Sequence, residues 1–487
     1  MKILLVSGEV HPYSKTGGLG DMVGALARAL AAAGHQVGVV TPLYAGLRAK
    51  LPDLQPLGPA AEVVMGWRRV PMVVQTLSPE PGLTMYFVDH PGYFERPALY
   101  GEHGGDYPDN AERFVFFSLV AARLAVELPW RPEVVHVHDW QAGLVPILLQ
   151  HQRLHAGWRR SLRTVMTIHN LAYQGLFPGW DFALTNLPAD YFNLHGVEFY
   201  GQMNCLKAGI AFADAITTVS PRYAREITTP EYGCGLDALL RARAGALTGI
   251  LNGVDYEEWK TSGNRYLPCA YSARQPAGKG KNKLALQQEL DLPVGADTPL
   301  FGSVTRLTDQ KGVDLTLGAL EEMLGTGLQY VLLGSGSPVW EEAFRDLARR
   351  FPRQVAVRIG FDPGLSHRIE AGSDFYLMPS KFEPCGLNQL YSLRYGAVPI
   401  VRATGGLDDS VVDIAADAEH ATGIKFTEYA PWALAKAIRK ALALYAEPAL
   451  LKEYRRNGML ADFSWDRAVA GYLRVYTGAA GAPSFHP

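Results

Sequence analysis

The sequence predicts an α/β protein: two doubly wound, Rossmann-like domains facing one central cleft. Three observations carry this. Residues 3–7 are a short apolar run, followed by the glycine-rich turn Ser14-Lys15-Thr16-Gly17-Gly18-Leu19-Gly20-Asp21. Val23, Leu26, Ala27 and Leu30 then recur at helical spacing until Gly34, so the unit reads strand, turn, helix. The same pattern restarts at residues 300–304, 305–312 and 313–324, and apolar runs alternate with helices through both halves. At 487 residues the chain is also too long for one ordinary domain.

Composition narrows the function. With 48% hydrophobic and 19% charged residues, the chain reads as a soluble globular protein with large cores. A formal charge of −2 gives no electrostatic case for nucleic acid or an anionic membrane. Cys205, Cys234, Cys269 and Cys385 lie far apart without C-x-x-C spacing, which argues against structural zinc. There is no secretory leader pattern and no apolar run of spanning length, so the expectation is a cytoplasmic protein.

In the opening turn, glycines let a backbone approach a ligand closely, and a helix start favours an anion beside Lys15. The turn therefore suits a phosphate; a turn serving only tight packing is the alternative. The second strand, residues 36–41, runs into Pro42-Leu43-Tyr44 and lacks the acid that would hold a nicotinamide ribose. No P-loop pattern occurs either. Residues 61–88 read as short strands, among them 70–76 and 83–88, and residues 89–110 as a long loop rich in aromatics. Residues 114–128 form a helix. Strands 134–138 and 164–168 end in Asp139-Trp140 and His169-Asn170, polar groups where doubly wound sheets bind ligands. A second aromatic loop covers 173–200, and strand 215–219 closes the first half.

Residues 247–252 lead into Gly253-Val254-Asp255 and a polar stretch. The basic run Ala277-Gly278-Lys279-Gly280-Lys281-Asn282-Lys283 reads as a solvated loop. The domains are placed at 1–250 and 255–460, with a helix over 461–480 returning to the first; Val469, Tyr472, Leu473 and Tyr476 form its stripe. In the second half Arg306 and Lys311 sit between a strand and a helix, suited to a diphosphate, with surface ion pairs to neighbouring acids as the alternative. Two further turns follow strands. Pro379-Ser380-Lys381-Phe382-Glu383-Pro384-Cys385-Gly386 brings a carboxylate, and Ala403-Thr404-Gly405-Gly406-Leu407 offers two glycine N–H groups to an anion.

Taken together, Lys-Thr-Gly-Gly-Leu-Gly-Asp, His-Asp-Trp at 138–140, Thr-Ile-His-Asn at 167–170, Leu-Asn-Gly-Val-Asp at 251–255, Arg-Leu-Thr-x-Gln-Lys-Gly, Phe-Glu-Pro-Cys-Gly-Leu at 382–387 and Thr-Gly-Gly-Leu resemble bacterial glycogen synthases. Those are retaining GT-B glycosyltransferases, similar to plant starch synthases, that extend an α-1,4-glucan from ADP-glucose. The resemblance implies that Lys15, Gly17 and Gly18 face the donor, and that Arg306 and Lys311 bind its diphosphate. It implies that Gly405, Gly406 and Leu407 meet phosphate or sugar through their backbone, beside Thr404, Cys385 and Gly386. It places Glu383 on glucose hydroxyls, His169 at the reacting face, and Asp139 and Asn252 on the glucose and acceptor side. Phe361 takes the place of an adenine-stacking aromatic, with a core phenylalanine as the alternative. Phe94 stands on the acceptor side where the family has a Tyr, and Gln141 replaces a family His. Asp408-Asp409 brings one acid more than the common pattern. The resemblance implies no cofactor and no metal; His136-x-His138-Asp139 is the one arrangement that invites a metal reading, and it lacks a third clustered ligand. It also implies front-face displacement, with closure of the two domains on one ligand. Sucrose- or trehalose-type transferases, and a glycan-binding protein without catalysis, are the competing readings.

Overall fold

The computed structural model describes residues 1–102, 104–155 and 162–478. The chain divides into two compact units. The first holds Met1–Val219 and Ala224–Gly253, with the closing helix that begins at Trp465; the second holds Ser220–Tyr223 and Val254–Ser464. Among the described residues no helix is long and apolar enough to cross a membrane.

The main sheet of the first unit runs, edge to edge, Leu247–Gly249, Ala215–Thr218, Arg163–Ile168, Val134–His138, Lys2–Ser7, Gln36–Pro42, Leu83–Asp89, Arg68–Glu80 and Gln55–Pro56. Its central strand Lys2–Ser7 pairs in parallel with Gln36–Pro42 on one side and Val134–His138 on the other. Ile3, Leu4, Leu5 and Val6 have no exposed surface, as expected of a parallel strand covered on both faces. The strand order reverses beside Lys2–Ser7, and at such a switch point the carboxyl ends of neighbouring strands splay apart around a ligand crevice.

The loop over 89–110 is ordered by one buried cation. Arg113 donates to the carbonyls of Tyr93 (2.7 Å) and Leu99 (2.9 Å) and to Oδ1 of Asn110 (2.6 Å). Its guanidinium lies against the rings of Phe94, Tyr107 and Phe114. The closing helix Trp465–Thr477 buries Val469, Tyr472 and Tyr476. The Tyr476 hydroxyl lies 2.8 Å from Nδ1 of His136, and Arg163 Nε donates to the Val475 carbonyl at 2.9 Å, so the helix is fastened to the first unit. Residues 479 and 480 of the expected helix lie outside the described residues.

In the second unit six parallel strands run Val355–Ile359, Gln329–Gly336, Leu300–Leu307, Phe375–Met378, Val398–Arg402 and Ile424–Phe426. Counted along the unit this is 3-2-1-4-5-6, the Rossmann order, with its switch point between Leu300–Leu307 and Phe375–Met378.

The basic run at 277–283 is not a solvated loop. It opens the helix Ala277–Glu289, and Lys279 and Lys283 are buried. Lys279 Nζ donates to the carbonyls of Ala371 (2.9 Å) and Tyr395 (3.0 Å). Lys283 Nζ pairs with Asp374 at 2.7 Å, and Arg455 reaches the other oxygen of the same carboxylate at 2.6 Å. Each ammonium thus exchanges water for oxygen atoms supplied by residues distant in sequence. Asp374→Ala leaves two cations without their counter-charge in the interior, and is expected to destabilise by about 3–5 kcal/mol in denaturant unfolding. A loss under about 1 kcal/mol, the range of a surface pair, would contradict this account of the network.

Candidate active site

In the first unit, three strand ends contribute. Lys2–Ser7 leads into Gly8 and Glu9, and the Glu9 carboxylate folds the glycine loop around itself. It accepts from the backbone N–H of Thr16 (2.6 Å), the Thr16 hydroxyl (2.6 Å) and the Tyr100 hydroxyl (2.8 Å). Gly17 precedes the helix Gly18–Ala32 in extended conformation, and a Cβ there would meet nothing within 4 Å. Gly20 and Gly24 differ: a Cβ would fall 2.9 Å from the Ser14 carbonyl and 2.2 Å from that of His11. Packing therefore explains Gly20 and Gly24, whereas Gly17 leaves open space for a ligand. Lys15 is held at the loop's edge by Asp21, 2.8 Å away, with much of its side chain in solvent.

Asp139 follows the strand Val134–His138 with φ of +55° and ψ of −171°, a region that strains a side-chain-bearing residue by about 1–3 kcal/mol. Its Oδ1 accepts the backbone N–H of His169 at 2.7 Å. Burial pushes its carboxyl up to about 7, against the backbone N–H groups of His169 and Asn170 that favour the anion. His169, after the strand Arg163–Ile168, is lowered to about 3 by burial and is neutral near pH 7. Its Nε2 lies 3.1 Å from Nδ1 of His138. Asn252 is buried, with an Oδ1 that has no hydrogen-bond partner.

One expectation for this unit needs correction. Phe94 has no exposed surface and packs on Tyr44, Tyr93, Phe114 and Phe116, so it touches no acceptor. The hydroxyl of that loop is supplied by Tyr100 instead. Gln141 is also buried, and its Nε2 donates to the Tyr100 hydroxyl at 2.9 Å; it braces Glu9 through Tyr100. His136 has both ring nitrogens engaged, by Tyr476 and by Thr167. Among the described residues no group of three or more His, Cys, Asp or Glu is placed to hold a metal ion.

In the second unit the site forms at the switch point. The strand Leu300–Leu307 runs past the loop start expected at 305, so Arg306 projects from the strand itself; it is exposed and has no side-chain partner among the described residues. Lys311 ends the short turn Asp309–Lys311, and its Nζ lies 2.6 Å from Oε2 of Glu383. The Ser380 hydroxyl donates to the same oxygen at 3.0 Å. Lys381 donates its backbone N–H to the Gln310 carbonyl at 2.8 Å, which joins the two loops.

The glycine turn at 405–406 works differently from the expectation. The Gly406 N–H is donated to the carbonyls of Glu383 and Pro384, both at 3.1 Å, and Leu407 N–H to that of Thr404 at 3.1 Å. Neither is offered to an anion. The glycines are needed for close approach: a Cβ on Gly405 would stand 1.9 Å from the Glu383 carbonyl, and one on Gly406 2.1 Å from that of Cys385. Cys385 and Thr404 are buried beside them, Leu407 packs with Val401 and Val411, and Gly386 turns the chain at φ +70°. Phe361, after the strand Val355–Ile359, is 83% exposed, which excludes the core alternative. The additional acid is structural: Asp409 accepts the Arg222 N–H at 2.6 Å, while Asp408 pairs with Lys425 at 2.9 Å.

Glu9, Tyr100 and Ser380 were not singled out from sequence. An acid directly after a buried strand is a usable signal for Glu9. Nothing local marks Tyr100, which meets it from 91 positions away.

Known proteins resemble this chain along nearly its whole length. Residues 2–242 match the starch synthase catalytic domain family and residues 289–458 match glycosyl transferases group 1. The chain is 51% identical over 481 residues to a glycogen synthase of Anaeromyxobacter sp. (strain Fw109-5), covering 99% of this chain and 100% of that one. It is 48% identical over 478 residues to a glycogen synthase of Myxococcus xanthus (strain DK1622), covering 98% and 99%. The catalytic domain of starch synthase IV from Arabidopsis thaliana, solved bound to ADP and acarbose, superposes with a TM-score of 0.88 at 32% identity, over 98% of this chain and 99% of that one. A sucrose-phosphate synthase from Thermosynechococcus elongatus, at 19% identity and a TM-score of 0.61 over 98% and 99%, shares the fold alone. By sequence over nearly its whole length, and by the strand order of its units, the chain belongs to the glycogen and starch synthase family of GT-B glycosyltransferases.

Proposed function

We propose that the chain transfers glucose from ADP-glucose to the non-reducing end of an α-1,4-glucan, with retention of configuration. The observation that carries this is the pairing of Lys311 with the buried Glu383 at the second unit's switch point, alongside the unpaired cation of Arg306. A nucleoside diphosphate needs fixed positive charge, and a sugar beside it needs a hydrogen-bond acceptor. These residues supply both. The relatives' activity and the ADP and acarbose of the starch synthase structure support the same ligands.

In this reading Arg306 and Lys311 bind the diphosphate, Glu383 accepts from glucose hydroxyls, and Phe361 stacks on adenine. Lys15, Gly17 and Gly18 serve the phosphates from the first unit, with His169, Asp139 and Asn252 on the sugar and acceptor side. The bond from the anomeric carbon to the phosphate oxygen breaks as the acceptor 4-hydroxyl oxygen bonds to that carbon. The departing phosphate oxygen keeps the electron pair and takes the hydroxyl proton. Positive charge placed in advance at the leaving group lowers this barrier, and Arg306 and Lys311 fill the role a metal fills elsewhere. His169, being neutral, contributes a hydrogen bond rather than charge. The four free cysteines suit a reducing cytoplasm. Turnover with ADP-glucose, UDP-glucose and glycogen tests the assignment: glucan extension favouring ADP-glucose supports it, and none with any donor refutes it.

Lys311→Ala is expected to lower kcat by about 10²–10³; an unchanged kcat, whatever the KM, would contradict its role at the leaving group. Phe361→Ala removes a platform worth about 1–3 kcal/mol by analogy with base stacking, so the KM for ADP-glucose should rise roughly 5- to 100-fold. An unaltered KM would rule out the stacking.

The Asp139 carboxyl supplies a pH test. Burial raises it to about 7 from 3.8, so between these values the folded chain binds a proton that the unfolded chain has released. Stability should therefore fall as pH rises from about 5 to 7. Asp139→Asn should lose this part of the slope in denaturant unfolding; parallel profiles for both proteins would contradict it.

A further inference from the structure

His138 takes no part in the roles above, although it touches a residue that does. It is the last residue of Val134–His138 and has no exposed surface. Its Nδ1 lies 3.1 Å from Nε2 of His169, and its own Nε2 is buried with no hydrogen-bond partner. Burial lowers both rings well below the ordinary histidine range, so both are neutral near pH 7. Two neutral imidazoles in contact share one proton, and it sits on one of two nitrogens.

If the proton is on Nε2 of His169, then His138 accepts at Nδ1 and must carry its own proton on Nε2. That leaves an N–H sealed in the interior with no acceptor. If the proton is on Nδ1 of His138, the buried Nε2 is only a bare lone pair. Orphaned buried N–H groups are rarer in folded proteins than under-satisfied acceptors, which selects the second arrangement. His136, whose ring centre is 4.1 Å from that of His138, cannot reverse the choice. Its Nδ1 is taken by Tyr476 and its Nε2 by Thr167, whose hydroxyl continues to Thr217.

We propose that His138 is a positioning residue that fixes His169 as its Nδ1–H tautomer, so that the ring presents an N–H donor to an oxygen of the transferred glucose. The sugar oxygen then accepts from the ring, and its own proton is turned toward another acceptor. No proton changes hands between the histidines or to the sugar. The sugar as the recipient rests on the glucosyl-transfer reading; the tautomer itself does not.

Neutron diffraction from ligand-free, deuterium-exchanged protein tests the tautomer directly. The expected result is deuterium on Nδ1 of both His138 and His169 and none on either Nε2. Deuterium on Nε2 of His169 would overturn the proposal while leaving glucosyl transfer intact; absence of turnover by the unmodified protein would instead remove the functional reading. Kinetics supply a second arm. His138→Leu should lower kcat roughly tenfold, the effect of one fixed hydrogen bond, with the inhibition constant of ADP, which lacks the transferred glucose, unchanged. His138→Asn can place an amide N–H near the former Nδ1–H and should recover most of the loss. Equal losses in both variants, or ADP binding that weakens in step with kcat, would count against the proposal. The neutron result decides the tautomer even if the Leu variant does not fold.

Discussion

The ion pair between Lys311 and Glu383 is the contact on which the second unit's site depends. At 2.6 Å, with 17% and 7% of the two side chains exposed, it is drier than a surface salt bridge. In that setting, removing either partner strands a charge and is expected to cost several kcal/mol. Glu383 is also a structural junction. Its carboxylate takes the Ser380 hydroxyl, its carbonyl takes the Gly406 N–H, and the neighbouring Lys381 N–H reaches Gln310. Three loops from three strands are thereby fixed to one another before any ligand arrives. Preorganised charge of this kind need not rearrange as a leaving group departs.

The first unit solves a different problem with neutral groups. His136, His138 and His169 are held neutral by burial, its Asp139 is raised toward neutrality, and its glycine loop is wrapped on Glu9. Lys15, at the edge of the glycine loop, is already engaged by Asp21. Unit one offers directed hydrogen bonds, and unit two offers charge. The strain at Asp139 belongs to the same design, because its left-handed backbone aims a carboxyl at the His169 N–H.

Both doubly wound sheets were legible in the sequence, because parallel strands buried on both faces are unbroken apolar runs, and strand 134–138 is met residue for residue. The residues at their carboxyl ends were legible for a related reason. A polar group directly after such a run has few structural explanations, which is how Asp139 and His169 stood out, whereas Arg306 and Glu383 stood out as charges in turns between a strand and a helix. What pattern cannot show is who meets whom. Lys279 and Lys283 read as a solvated basic run because their oxygen partners lie about a hundred residues onward. Phe94 read as an acceptor contact from the family resemblance, and nothing nearby in sequence predicts Arg113 and four rings around it. The N–H of Gly406 looked available because the Glu383 carbonyl approaches it only in the folded chain.

In the proposed site Arg306 and Lys311 hold a diphosphate, so that phosphate charge rather than the base carries nucleotide affinity. Calorimetric titration of the full chain with ADP and with adenosine tests it most directly. Two charge-assisted contacts, each contributing about 1.5–3 kcal/mol, predict ADP binding at least roughly 10²-fold tighter than adenosine. The gap should shrink with added salt and fall by roughly 10²-fold when Arg306 and Lys311 are both replaced by alanine. Equal binding of ADP and adenosine, or a gap that the double replacement leaves unchanged, would contradict the account.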